Sequence, residues 1–220
     1  MDMTLDQGRF ATMRQAMVAS QLRPNAVNDA AVVDAMAIVP RERYLPAALA
    51  AVAYSDAALP LGEGRIANPP IATGRLLTEA RVRASDRVLV VGAAGGYAAA
   101  VLARLAARVT ALEVSPTLHA LAAEALAESG VALVAGPLAA GHAAGAPYDL
   151  IFVDGAIEQV PPALIEQLEI EGRLVTGIND RGVSRLCVGR RTPGGFGLAD
   201  FADIEAAPLP GFARPPAFSF

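Results

Sequence analysis

Val88-Leu89-Val90-Val91-Gly92-Ala93-Ala94-Gly95-Gly96-Tyr97 is the stretch whose reading decides the fold. A valine-rich run ends at a glycine cluster, and an alanine-rich segment follows from Tyr97 to Leu105. That is a strand, a tight turn and a helix. Glycines let backbone approach a ligand, and the amino terminus of a helix favours polar or anionic groups. By itself such a loop is equally well explained as a tight strand-to-helix connection. Glu113 adds a second feature, because it ends the next strand about twenty residues on, where an acid would grip two ribose hydroxyls. Gly92, Ala93, Ala94, Gly95, Gly96, Tyr97 and Glu113 are therefore the expected cofactor-binding residues.

Outward from this loop the pattern continues. Arg87 to Val91, Arg108 to Val114, Val131 to Ala135, Tyr148 to Val153 and Arg173 to Ile178 read as strands. Ser115-Pro116 is a cap with proline at the first helical position, so a helix should run to about Ser129. Another helix is expected around Val160 to Leu168. Strands alternating with helices argue for a parallel sheet with right-handed crossovers. The tail reads as a closing hairpin, with Leu186 to Arg190, a turn at Thr192-Pro193-Gly194-Gly195, and a run near Phe201 to Ala206. On the amino-terminal side, Ala11, Met13, Met17, Val18 and Leu22 are helically spaced. Asn28 is the expected cap of a helix over Asp29 to Met36. Pro40 and Pro46 bracket a charged turn, Arg41-Glu42-Arg43-Tyr44, expected to be solvated, and Leu59 to Pro70 reads as a loop. The expectation is one α/β domain over 1–220, with a helical segment over 1–80 and a Rossmann-like core over 81–220. Its sheet should be seven-stranded and mostly parallel, with an antiparallel last strand.

Composition narrows the function classes. The 220 residues are 54% hydrophobic and 18% charged, which suits a packed core and excludes a disordered chain. The formal net charge is −4, without a basic block, so no nucleic-acid partner is expected. The single cysteine, Cys187, rules out an internal disulfide and any multi-cysteine zinc site. The longest apolar run, Val88 to Ala103, is too short and too glycine-broken to span a bilayer, and Met1 to Leu22 lacks the apolar core of a signal peptide. A cytoplasmic protein without a membrane partner is expected.

Motifs beyond the loop narrow the identity. Val39-Pro40-Arg41-Glu42-Arg43-Tyr44-Leu45-Pro46, Ala53-Tyr54-Ser55-Asp56 and Leu59-Pro60-Leu61-Gly62 form a specific amino-terminal block. Pro147-Tyr148-Asp149 and Gly172-Arg173-Leu174-Val175 extend it into the later half. With these, the sequence resembles the protein-L-isoaspartate O-methyltransferase family over nearly its whole length. The resemblance implies a Rossmann-like methyltransferase fold, S-adenosyl-L-methionine as cofactor, and a protein or peptide substrate bearing isoaspartate. It also assigns the substrate border to Ile66, Ala67 and Pro69.

The departures from the family pattern fall at functional positions. The family's Thr-Ile-Ser-x-Pro segment is Arg65-Ile66-Ala67-Asn68-Pro69 here, so the serine is lost at Ala67. An acid of the first strand is Val90, the middle glycine of the loop is Ala94, and Gly-Asp-Gly near the adenine has become Gly136-Pro137-Leu138. Val90, Ala94 and Pro137 are expected to border the cofactor and to weaken its capture. The transfer needs no general base, since a carboxylate is already a nucleophile at neutral pH, so losing the serine removes a positioning bond of about 1.5–3 kcal/mol and not the mechanism. The alternative from another class is a catalytically inactive methyltransferase-like binding or scaffold protein, whose cleft would be filled by side chains. Arg65 faces the substrate mouth by analogy and would pair with a carboxylate. Asp154 with Asn179-Asp180 resembles an oxygen-ligand metal site, against the simpler account of polar strand ends, and no metal is expected. His119 and His142 are expected at the surface, and Cys187 as a small buried hydrophobe.

Overall fold

The computed structural model describes residues 3–214. Helix α1 (Met3–Met17) continues into a wider π turn (Val18–Leu22), which buries Val18 and Leu22 beside Met17. Helix α2 (Ala30–Ile38) is capped by Asp29, whose carboxylate accepts from the Val32 N–H at 3.1 Å. The expected cap was Asn28. Both residue types cap well, and the extended backbone at Asp29 decides between them. Arg41–Tyr44 forms a single 3-10 turn.

Leu59 to Pro70, expected as a loop, is structured. Strand β1 (Leu59–Gly62) pairs antiparallel with β2 (Arg65–Ala67), Leu59 opposite Ala67. The turn between them places Glu63 and Gly64 at φ of 51° and 70°, left-handed values that Gly64 adopts without strain. Helix α3 (Pro70–Ala80) follows, with proline in its first turn.

Seven further strands form one sheet. They are β3 (Arg87–Val91), β4 (Arg108–Glu113), β5 (Ala132–Ala135), β6 (Tyr148–Ile157), β7 (Leu168–Asp180), β8 (Val183–Thr192) and β9 (Gly195–Ala202), in the order β5-β4-β3-β6-β7-β8-β9. Strands β3 to β7 are parallel. Strand β8 runs against both neighbours, so β9 returns to the common direction. The sheet is seven-stranded and mostly parallel with an antiparallel finish, as the sequence implies. The last strand starts at Gly195 and not near Phe201, because Thr192 pairs directly with Gly195. The connecting helices are α4 (Tyr97–Leu102), α5 (Pro116–Ala125) and α6 (Pro162–Glu166). The Ser115 hydroxyl accepts from the Leu118 N–H at 3.1 Å and so caps α5 as expected.

Side chains of β3 alternate between the two faces of the sheet. Val88 and Val90 join one buried cluster, Leu89 and Val91 the other. A buried ion pair, Arg173 with Asp86, fastens the entrance of β3 to β7, and the Arg173 guanidinium also donates to the Ala80 carbonyl at the end of α3 (2.5 Å). At the opposite end, the chain beyond β9 turns back over the sheet. The Ala156 N–H donates to the Ala207 carbonyl (2.7 Å), and the Leu209 N–H donates to the Ala156 carbonyl (2.8 Å). This strap crosses the carboxyl ends of the parallel strands.

Candidate functional site

The strand order reverses direction between β3 and β6, so the crevice at their carboxyl ends is where a doubly wound sheet takes its ligand. The glycine loop stands there. Gly92 has φ 78° and Gly96 φ 98°, and Ala94 adopts a left-handed φ of 51°. The Ala94 N–H donates to one Glu113 carboxylate oxygen at 2.7 Å. Loop and acid, joined by inference from spacing alone, are in direct contact.

Glu113 is wholly buried. Its other oxygen accepts from the Val114 and Ser115 N–H groups, each at 2.9 Å, and from the Arg65 guanidinium at 2.5 Å. Arg65 is buried too, and it also donates to the Gly92 carbonyl at 3.0 Å. Its Nε–H is buried with no hydrogen-bond partner. Arg65 does find a carboxylate, but the carboxylate is the protein's own. A buried ion pair contributes little net stability, yet losing one partner costs about 3–5 kcal/mol because a buried charge is left behind.

Two pieces of the chain close the crevice. The β1–β2 hairpin brings in Arg65, and at its turn Glu63 accepts hydrogen bonds from the hydroxyls of Ser115 (2.5 Å) and Thr117 (2.7 Å). These bonds lower the Glu63 carboxyl from its ordinary range. The strap supplies Leu209, whose methyls lie 2.8–2.9 Å from where a Gly92 Cβ would stand and whose own Cβ lies 2.8 Å from that of Gly155. Asn68 ties strap to sheet. Its side-chain oxygen accepts from the Ala207 N–H at 2.7 Å, and its amide donates to Asp154 at 2.7 Å.

What stays open beside the loop is a cavity of about 20 Å³, bordered by Ile66, Ala67, Ala93, Ala94, Gly95 and Tyr97, with Arg41, Asn68 and Asp154. That is roughly the room of one water, against several hundred cubic ångströms for a small-molecule site. Most of the expected site residues therefore meet at one place, while Gly92 and Glu113 lie sealed under Arg65 and Leu209. Pro69 caps α3 outside the cavity lining.

Two of the positions expected to border the cofactor lie apart from this cavity. Val90 is fully buried in the core, and Pro137 is exposed at the start of the 3-10 turn Leu138–Ala140. Neither lines the cavity. A β3 residue at Val90 points into the sheet's packed face, so its loss of charge is a gain of core. Arg41, expected in a solvated turn, is buried. It donates to the Ala53 and Asn68 carbonyls (2.9 and 2.7 Å) and stacks over the Tyr97 ring at 4.8 Å. Burial lowers its pKa and pushes the Tyr97 hydroxyl up to about 12. Burial also raises the Asp154 carboxyl, against the opposing pull of Asn68 and Arg41. Asn179 and Asp180 are engaged elsewhere, with the Gly182 N–H and Arg214 respectively, so they do not converge on Asp154. Among the described residues no group of three or more His, Cys, Asp or Glu stands ready for a metal ion. His119 and His142 are half-buried outside the cavity lining, and Cys187 is buried as expected. The strap beyond Ala206 has no counterpart among the sequence expectations, because its contacts with Asn68 and Ala156 join residues far apart in the chain.

The chain is similar to known proteins over most of its length. The family model of protein-L-isoaspartate(D-aspartate) O-methyltransferase matches residues 12–197. A protein-L-isoaspartate O-methyltransferase of Methylorubrum extorquens is 41% identical over 202 residues, covering 90% of this chain and 89% of its own. A protein-L-isoaspartate O-methyltransferase 1 of Rhodopseudomonas palustris is 37% identical over 211 residues, covering 94% and 86%. A Plasmodium falciparum structure, described as a putative protein-L-isoaspartate O-methyltransferase in complex with S-adenosyl-L-homocysteine, shares the fold. It has a TM-score of 0.78 at 16% identity, over 90% of this chain and 98% of that one.

Proposed function

The chain belongs to the protein-L-isoaspartate(D-aspartate) O-methyltransferase family, and from that premise we propose that it is an S-adenosyl-L-methionine-dependent carboxyl methyltransferase acting on isoaspartyl residues of proteins or peptides. The cofactor supplies the methyl group as a sulfonium, and the isoaspartyl carboxylate is the nucleophile. The chain is read as one methyltransferase-like domain acting in the cytoplasm; among the described residues no helix is long and apolar enough to cross a membrane. The observation that carries the proposal is the bond between the glycine loop and Glu113, formed where the strand order reverses.

The residues do not fit an adenosyl group as they stand. The Glu113 carboxylate already accepts four hydrogen bonds, three of them on one oxygen, and the cavity holds no more than a water. The residues near the reacting end do show what the chain would do there. Ala67 offers no hydroxyl to orient a substrate carboxylate, and Asn68 and Arg41 are committed to Asp154, Ala207 and Ala53. Positioning, worth roughly 7–11 kcal/mol of barrier in a well-oriented pair, is then left mostly to shape. Slow turnover follows.

The filled crevice favours one second reading, a non-catalytic relative whose cleft stays shut. Methyl transfer to an isoaspartyl peptide, with the aspartyl isomer as control and the cofactor at saturation, separates the two. The methyltransferase reading expects isoaspartyl-selective transfer, well below the common enzyme rate of about 10 s⁻¹. No incorporation into either peptide would assign the chain to the second reading, and equal incorporation into both would refute the isoaspartyl selectivity.

A further inference from the structure

The crevice is closed by side chains that mimic what a ligand would present there. The Arg65 guanidinium lies on Glu113 and on the Gly92 carbonyl, and Leu209 covers Gly92 and Gly155. We propose that Arg65 and Leu209 form an intramolecular plug, which competes with the adenosyl group for the carboxyl ends of β3 and β4. The proposal rests on the methyltransferase reading of the site and adds a regulator to it.

Three observations support a plug that opens over a fixed core. First, Arg65 and Leu209 both sit on chain outside the seven-stranded sheet, on a two-stranded hairpin and on a strap. The strap's only strand-type pairing with the sheet, among the described residues, is the isolated bridge of Ala156 with Pro208; the Ala206 N–H bond to the Ser184 hydroxyl and the buried side chains of Leu209 and Phe212 hold it otherwise. Second, the closed state leaves a polar group unpaid on the crevice side. The Arg65 Nε is buried without a partner, and it would regain a hydrogen bond on opening. Third, Glu113 does not depend on Arg65 alone. Three backbone N–H groups hold the carboxylate in place with or without the guanidinium. Opening thus exposes a preset acid.

Cofactor capture then carries a conformational tax. If the open state is about one molecule in ten, the apparent affinity falls about tenfold below that of the open crevice. Substitutions that remove the plug abolish that tax.

The test is calorimetric titration of the intact chain with S-adenosylhomocysteine, for the wild type, Arg65→Thr, Leu209→Ala and Arg65→Thr with Glu113→Gln. Circular dichroism establishes that each variant is folded. Leu209→Ala keeps the ion pair and serves if Arg65→Thr does not fold. Arg65→Thr and Leu209→Ala are each expected to bind about tenfold or more tightly than the wild type, and the added Glu113→Gln to reverse most of the gain. Amide exchange across residues 206–212 of the wild type should speed up when ligand saturates it. Affinities within about threefold of the wild type in folded variants overturn the plug, as does a strap whose protection ligand leaves unchanged. Failure of every folded variant to bind also overturns it. The reaction is tested separately. An Arg65→Thr variant that binds tightly yet transfers no methyl group to an isoaspartyl peptide refutes the reaction and leaves the plug. A wild type that methylates with its strap protected refutes the plug and leaves the reaction.

Discussion

Ala94 shows how one residue can be tuned for its neighbours at its own expense. It holds φ 51° while its N–H serves Glu113 at 2.7 Å. An L-residue in that region costs about 1–2 kcal/mol, and glycine would relieve it while giving back about 0.4–1 kcal/mol through a freer unfolded chain. Ala94→Gly is therefore expected to raise the urea midpoint by an amount equivalent to about 0.5–1 kcal/mol. A lower midpoint would show that the alanine methyl packs better than its backbone suggests. Asp154 gives a prediction with a pH signature. Burial raises its carboxyl, so the folded protein prefers it protonated, and the penalty is complete above the raised pKa. It vanishes as pH falls below the unfolded value of about 3.9. Asp154→Asn keeps an oxygen for the Asn68 amide and removes the charge. It should unfold at a higher temperature than the wild type at pH 7, with the gap closing towards pH 4. A gap constant with pH would mean that the charge is not its cause.

The elements divide by how local their causes are. Helix α5 has a local cause, and its cap is the place to test it. Ser115→Ala removes the acceptor for the Leu118 N–H and a partner of Glu63, and it should cost about 0.5–2 kcal/mol in chemical denaturation. Loss of nothing would place the stability of α5 entirely in its packing. The same locality explains why β3, β4, β5 and α5 were legible in the sequence. Valine-rich runs ending at glycine, and Ser-Pro before a helix, act within a few residues. The β1–β2 hairpin was not legible, since Pro60 and the closely spaced Gly62 and Gly64 look like a loop and only pairing with Ala67 makes them a ribbon. Arg65 meets Glu113 across 48 positions of sequence and Asn68 meets Ala207 across 139. No periodicity records such contacts. Glycine loop and acid could therefore be identified, while what lies upon them could not.

For the whole molecule, the Arg173–Asp86 pair links α3, β3 and β7 in the interior. Arg173→Met leaves Asp86 buried and uncompensated, and should lower global stability by about 3–5 kcal/mol, a large part of the 5–15 kcal/mol typical of a domain. Adding Asp86→Leu should recover much of that loss in thermal unfolding; no recovery would locate the damage in the bonds to Ala80 instead. Gly95 makes a different kind of statement about the molecule as a whole. A Cβ there would stand 2.0 Å from the Tyr44 carbonyl oxygen, so this glycine is required for the amino-terminal segment to seat against the loop. Selection on folding alone would preserve it in a lineage that had ceased to bind any nucleoside. Its presence is thus silent about activity, whereas position 65 is informative, because a change from arginine alters the crevice and leaves the seat of the amino-terminal segment untouched.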